Sequence, residues 1–221
     1  MFQLRTHPTW RLGSAALGGI ALAALSFSPS PAAAEADPGT QAAPAERAPE
    51  LLIRATIDQV FNILRDPALK QDQKLRMTKL REAVDQAFDW ETMAQSSLGP
   101  PWRKLDTKQR SEFVSVFKEL LAQQYMDDID RFQGSERVEV KGSDKRAELA
   151  VVKTTLITSS REQVPMDYTL QPAGKRWVVV DLSIEGVSLV NHYRQTFNRF
   201  LANKPFPELM QQLKRRLGLH D

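Results

Sequence analysis

The spacing of the apolar side chains changes twice along this chain, and that change restricts the folds that the chain can adopt. Between residues 50 and 132, apolar residues recur at steps of three and four, which predicts amphipathic helices. From residue 138 to 184 they recur at steps of two, which predicts strands, and after Gly186 the helical spacing returns. A group of helices, then a group of strands, then further helices favours an α+β fold. Strict alternation of strands and helices would instead favour an α/β fold. We therefore expect helices packed on a curved, mainly antiparallel sheet.

Two of the predicted strands differ in how they are buried. Val164, Met166, Tyr168 and Leu170 alternate with polar residues or proline, so that strand is expected to have one buried and one solvated face. Residues 177–180 are apolar on both sides of the predicted strand. This second pattern predicts a strand that is central or covered on both faces.

The first residues have the layout of a cleavable export signal. Arg5 and Arg11 precede and flank an apolar stretch, and a run of alanines follows at residues 32–36. That order predicts a signal peptide over residues 1–34 and a periplasmic protein, with a retained membrane anchor as the alternative. Residues 35–49 are rich in Ala and Pro, which predicts a disordered tether. The rest is expected to be a single domain, residues 50–217, with a short tail, residues 218–221.

The charge balance argues against nucleic acid as a partner. The chain has 30 Lys and Arg residues against 27 Asp and Glu residues. Removal of residues 1–34 takes away Arg5 and Arg11 and no acidic residue, which leaves 28 basic residues against 27 acidic ones. Nucleic-acid binding needs a concentrated basic face. The densest basic run, Lys214–Arg216, is typical of a helix end.

The sequence shows no strong catalytic, metal or cofactor motif. Of three histidines, two lie in the predicted leader and at the tail, which leaves His192. No second histidine or cysteine stands at a metal-ligand spacing from it, and the acidic run at residues 127–130 is expected to be a solvated helix surface. A hydrolase acting on a lipid or envelope substrate remains an alternative, with His192 and either Asp181 or Glu185 as its acid–base pair. We otherwise expect no enzyme activity, no metal and no cofactor.

One run of residues resembles a known family. Residues 181–197, DLSIEGVSLVNHYRQTF, are similar to the C-terminal signature of the toluene-tolerance family of periplasmic phospholipid-binding proteins, the MlaC-like proteins. Further similarity runs from Leu98 to Leu121 and from Pro165 to Trp177, in the same order as in the family. The resemblance covers roughly residues 50 to 217, which is nearly all of the predicted domain.

This resemblance implies a lipid carrier that is not an enzyme. It implies an apolar pocket between helices and sheet that holds phospholipid acyl chains as cargo. It also implies two protein partners, an inner-membrane ABC transporter complex and an outer-membrane lipoprotein complex, with transient membrane proximity but no insertion. The Mla pathway maintains outer-membrane lipid asymmetry. A hopanoid-associated branch has similar signatures, so a hopanoid is the alternative cargo.

The resemblance also directs attention to particular side chains. We expect the pocket to be lined by apolar residues on the predicted helices and strands that the resemblance places around it: Phe117, Leu121, Met166, Tyr168, Val179, Leu182, Ile184, Val187, Tyr193 and Phe197. Arg103 and Arg194 are the candidates for contact with a headgroup phosphate or an acidic partner.

Overall fold

The computed structural model describes residues 44–132 and 135–219. The predicted signal peptide, residues 35–43 of the predicted tether and the last two residues lie outside this part. The described residues form seven α-helices, one short 3-10 helix and five strands. The helices are α1 (Pro44–Arg65), α2 (Pro67–Gln71), α3 (Gln73–Ala87), α4 (Trp90–Leu98), the 3-10 helix (Pro100–Lys104), α5 (Thr107–Asp130), α6 (Leu189–Leu201) and α7 (Phe206–Leu217). The strands are β1 (Arg137–Arg146), β2 (Leu149–Ile157), β3 (Gln163–Ala173), β4 (Arg176–Ile184) and β5 (Val187–Ser188).

The expected α+β class is confirmed. The strands form one sheet in the order β1-β2-β3-β4-β5, and every neighbouring pair is antiparallel. The register shifts by one residue at Lys141 in β1 and at Val180 in β4. Such bulges bend a strand and increase its twist, so they favour the expected curvature.

The helix ends follow from local sequence signals. Asp66 caps α2 by accepting a hydrogen bond from the Ala68 N–H at 2.8 Å, with Pro67 in the first helical position. At the start of α5, the Gln109 N–H donates to Asp106 Oδ1 at 2.8 Å and the Asp106 N–H donates to Gln109 Oε1 at 3.0 Å. This reciprocal pair is a capping box, which residue types at this spacing predict.

Helix α1 begins at Pro44, within the segment that the composition predicts as a tether. Residues 45–48 are Ala, Glu, Arg and Ala, which all have high helix propensity. The change in apolar spacing at Glu50 therefore marks the start of the buried face and not the start of the helix. Ile53 is the first large side chain of α1 in the core, with 1% of its surface exposed.

Strand β4 is covered on both faces where the sequence predicts it. Val178 and Val179 point to opposite sides of the sheet, and both are buried. Helix α1 packs against β1, β2 and β4, while α3, α4 and α6 also contact β4. None of the described helices is long and apolar enough to cross a membrane.

Many of the buried apolar residues of the described part fall into three clusters. The helical cluster joins α4, the 3-10 helix, α5, α6 and α7, with Phe113, Phe117 and Phe197 at its centre. The sheet cluster is Ile53 of α1 with Val152, Leu170 and Val179 of the sheet. The third cluster joins α1, α3 and the end of α5 through Leu64, Leu80, Ala122 and Met126. A domain of this size usually has one contiguous core.

Candidate functional site

The turn between β4 and β5 lies within residues 181–197, the run that resembles the MlaC-like family. Ile184 pairs with Val187, so Glu185 and Gly186 form a two-residue turn. Both have positive φ values, 52° and 80°, as a type I′ hairpin turn requires. Glycine adopts a positive φ at little cost, as at Gly186. A positive φ is uncommon for a residue with a side chain, such as Glu185. The Glu185 N–H donates to the Pro165 carbonyl at 2.9 Å, which ties the turn to β3.

Asp181 holds the beginning of α6 against β4. Its Oδ1 accepts hydrogen bonds from the Leu182 N–H at 2.9 Å and the Val190 N–H at 3.1 Å. Its Oδ2 accepts from the Ser188 hydroxyl at 2.5 Å, and Ser188 Oγ in turn accepts from the Asn191 N–H at 3.1 Å. Asp181 and Ser188 thus satisfy N–H groups that a helix start leaves unpaired, with a negative charge at the favourable end of the helix.

This geometry gives Asp181 a capping role in place of the acid–base role considered for it. Among the described residues, no hydrogen bond joins His192 to Asp181 or to Glu185, which is exposed in the turn. His192 is half-buried, with its ring edge-on to Tyr193 at 5.2 Å between centroids. Burial lowers the pKa of His192, and the nearby charge of Arg199 lowers it further. Within residues 44–132 and 135–219, no carboxylate is hydrogen-bonded to this imidazole to activate it as a base.

Helices α5 and α6 place four of the predicted lining residues in the helical cluster. The Tyr193 ring lies 5.5 Å from that of Phe117, edge to face, and the Phe197 ring lies 6.3 Å from Phe117. Tyr193, Phe117 and Phe197 are each 6% exposed or less, and Leu121 belongs to the same cluster. Phe113 fills the remaining side, 5.7 Å from Phe197. The rings therefore pack mainly on each other, at the distances that aromatic pairs prefer.

The sheet places the other predicted lining residues on one face. Met166 pairs with Ile184, and Tyr168 pairs with Leu182 across β3 and β4. Side chains two positions apart on a strand share a side, and so do paired residues, so these four lie on the same side as Leu170. The fully buried Val179 pairs with Leu170 beyond the bulge at Val180 and therefore points to that side as well. All four of them are nevertheless only half-buried. We call Met166, Tyr168, Leu182 and Ile184 the accessible apolar face.

The two groups of predicted residues adjoin each other. Leu182 packs against the helical cluster, and Tyr168 packs against the sheet cluster. Phe88, at the end of α3, packs against both clusters. Val187 lies at the turn beside this region and is 43% exposed.

The two predicted arginines lie on the helical side. Arg103 is exposed in the 3-10 helix. Arg194 is exposed on α6, and its Nε donates to the Ser96 carbonyl of α4 at 2.7 Å. Arg194 therefore ties α6 to the last turn of α4, where carbonyls lack partners within the helix.

Sequence reasoning missed the contribution of β2 to the same sheet face. Thr154 pairs with Met166 and Val152 pairs with Tyr168, and both are buried. The Thr154 hydroxyl donates to the Met166 carbonyl at 2.8 Å, which satisfies this buried polar group. The alternation of Ala150, Val152, Thr154 and Leu156 was the signal that could have identified them.

A separate groove of about 410 Å³ lies between α1 and α3. It contains none of the predicted site residues, and most of its lining is polar: Ala55, Asp58, Gln59, Asn62, Ile63, Lys79, Glu82 and Gln86. Among the residues whose placement the structure describes, no three His, Cys, Asp or Glu side chains converge as a metal site would require.

Comparison with models of known protein families shows which family this chain belongs to. The sequence model of the MlaC protein family matches residues 54–215, which run from the buried face of α1 to the last turn of α7. The chain belongs to the MlaC family. The resemblance read from residues 181–197 is thereby confirmed, and the capped turn from β4 to α6 lies within the family match.

A solved structure has the same fold. It is described as the phospholipid-binding protein from Ralstonia solanacearum in complex with a phospholipid. It is 22% identical to this MlaC-family chain, with a TM-score of 0.69, over 76% of this chain and 96% of the other. No curated protein matches the chain significantly.

Proposed function

We propose that this chain is a periplasmic carrier that binds phospholipid by its acyl chains. It would shuttle the lipid between an inner-membrane ABC transporter complex and an outer-membrane lipoprotein complex. Membership of the MlaC family supports this role. The shared fold with a protein described as binding a phospholipid supports it as well.

The observation that carries the proposal is the accessible apolar face. Met166, Tyr168, Leu182 and Ile184 share a sheet face with fully buried residues, yet each keeps part of its surface accessible. In a close-packed core such side chains lose almost all of their accessible surface. Apolar atoms that lie on a helix-covered face and remain accessible are what an acyl chain would cover.

The division of the core into three clusters supports the same interpretation. The helical and sheet clusters share only partly buried Phe88 among the residues that the structure describes. A space between layers that is bounded by both clusters is a suitable place for acyl chains. The helical cluster, with rings packed on rings, would then act as a rigid wall.

The energy of the exchange sets what such a pocket must achieve. Burial of one methylene is worth about 0.8 kcal/mol, so one tail of about sixteen carbons represents on the order of 12 kcal/mol in the membrane. A carrier must nearly match this value, because a large shortfall leaves the lipid in the bilayer. The phosphate would stay at the pocket mouth, since burial of an unpaired charge is costly. Arg103 is exposed and could meet it there.

Native mass spectrometry provides the test. The full chain would be produced in a Gram-negative host, purified from the periplasmic fraction without detergent, and extracted with organic solvent. We expect recovery from the periplasm without residues 1–34 and a bound mass equal to an intact phospholipid. A bound mass equal to a hopanoid would show that the cargo is a hopanoid and not a phospholipid. An empty, folded protein that takes up no lipid from vesicles would contradict the carrier function.

A further inference from the structure

Tyr168 has an unusual position for a residue with a polar tip. It lies in the middle of β3, with Val152 on one side and Leu182 on the other. Its ring packs against the sheet cluster, whose members Ile53 and Val179 are at most 1% exposed. The surroundings of the ring are therefore apolar.

The Tyr168 hydroxyl has no hydrogen-bond partner among residues 44–132 and 135–219. Burial raises the pKa of Tyr168 to about 12, and burial is the only cause of that rise. The hydroxyl nevertheless keeps accessible surface in this half-buried residue, so an atom of a ligand can reach it.

Tyr193 provides a useful contrast. Burial also raises the pKa of Tyr193, but Tyr125 and Arg216 contribute to it as well. Arg216 lies on α7 and donates to Gln124 Oε1 on α5 at 3.3 Å. The Tyr193 hydroxyl thus has polar neighbours on the helical side, whereas no residue in the described part of the chain contributes a charge effect to the pKa of Tyr168.

The partner that fits Tyr168 is a neutral acceptor carried by the ligand. The residue is half-buried, so a ligand atom can reach it. No cation among the described residues contributes to the pKa of Tyr168, which disfavours a phosphate at this depth. The ester carbonyl of a glycerolipid is a neutral acceptor that lies at the head of the acyl chain. We propose that the Tyr168 hydroxyl donates a hydrogen bond to an ester carbonyl oxygen of the bound lipid, and so selects ester-linked phospholipids.

This inference rests on the proposed carrier function and adds a prediction about cargo. An ether-linked phospholipid has the same tails and headgroup but no carbonyl, and a hopanoid skeleton has no acyl ester either. A neutral hydrogen bond is worth about 1 kcal/mol net, which corresponds to roughly fivefold in affinity. We expect the native chain to prefer the diester by about that factor.

A competition experiment tests the inference. Delipidated full-length protein, recovered from the periplasm, is incubated with vesicles that contain diester and diether phosphatidylcholine of equal chain length in equal amounts. The lipids extracted from the re-isolated protein are then quantified by mass spectrometry. We expect Tyr168→Phe to lower the diester-to-diether ratio roughly fivefold relative to the native chain. Because both lipids compete for the same molecules, the ratio does not depend on the fraction of folded protein.

Tyr193→Phe is the matched control, since it removes a second buried hydroxyl and keeps its ring. It is expected to retain the native ratio. An unchanged ratio in Tyr168→Phe, or the same decrease in both variants, would overturn the role of Tyr168 while leaving the carrier function intact. Uptake of neither lipid by the native chain would overturn both proposals.

Discussion

The helical cluster and the accessible apolar face are both rich in large apolar side chains, but only one of them is filled. Phe113, Phe117 and Phe197 are at most 1% exposed and pack ring against ring. Met166 and Ile184, on the sheet, retain accessible surface. The difference shows that apolar spacing in a sequence identifies buried faces without showing whether protein or ligand covers them. Substitutions in the two regions should therefore have different consequences.

The largest effect is expected in the helical cluster. Phe117→Ala should lower the free energy of unfolding by about 3–5 kcal/mol, because a cavity would be left among rings that cannot collapse fully. Met166→Ala, in the accessible face, should cost roughly 1 kcal/mol, since less of its surface is buried. Urea denaturation of lipid-free protein measures both values. Equal costs for the two variants would remove the distinction between the regions.

Val187→Asp should separate lipid binding from stability. Val187 is 43% exposed, so a carboxylate there should change the free energy of unfolding by only about 0.5 kcal/mol. Ile184, its strand partner, belongs to the accessible apolar face, and a charge beside bound tails is costly. We expect lipid co-purification to be lost while the circular dichroism spectrum is unchanged. A folded variant that retains full lipid would place Val187 outside the binding site.

The connection between the two regions depends on Asp181. Asp181→Asn keeps the side-chain size but removes the charge and one acceptor from the start of α6, so it should cost about 1–2 kcal/mol of unfolding free energy. Glu185→Gln is the control, because Glu185 is exposed and should change stability by about 0.5 kcal/mol or less. Thermal and urea unfolding measure the stabilities of the two variants. Equal stabilities for the two variants would exclude the capping role.

The smallest effect is expected at the ion pair between α3 and α5. Arg81 donates to both oxygens of Glu119, at 2.5 and 2.9 Å, and this hydrogen bonding lowers the pKa of Glu119. A carboxylate whose pKa is lower in the folded state than in the unfolded state stabilises the fold at pH values above its ordinary pKa. This stabilisation is lost as the pH falls through the folded-state pKa. Because the pair is about one-third exposed, Glu119→Gln should cost only about 0.2–1 kcal/mol at pH 7.

Measurement of unfolding free energy from pH 7 to pH 3 checks this prediction. The difference between the native chain and Glu119→Gln should shrink as the solution becomes more acidic. A difference that grows on acidification would contradict the sign of the pKa change.

Much of the fold could be predicted because its signals are local. The change from helical to strand spacing, the capping box at Asp106 and Gln109, and the two-sided burial at Val178 and Val179 all follow from neighbouring residues. The start of α1 could not be predicted from apolar spacing, because its first turns precede the buried face.

The site was less predictable for two physical reasons. The role of Asp181 depends on its contact with the backbone of Val190, nine positions later, which forms only once β4 and α6 are packed. The packing of the helices on the sheet determines which apolar residues are covered. It buries the cluster around Phe117 and leaves Met166 and Ile184 accessible. Both regions consist of large apolar residues, so residue type alone does not distinguish the filled cluster from the accessible face.

The proposed carrier function requires acyl chains to lie on the accessible apolar face of the sheet. The most direct test loads the protein with a phospholipid that carries a photoactivatable diazirine in the middle of one tail, followed by irradiation and peptide mass spectrometry. We expect crosslinks to β3 and β4, at Met166, Tyr168, Leu182 or Ile184. Crosslinks confined to the α1–α3 groove or to exposed surface residues would contradict it.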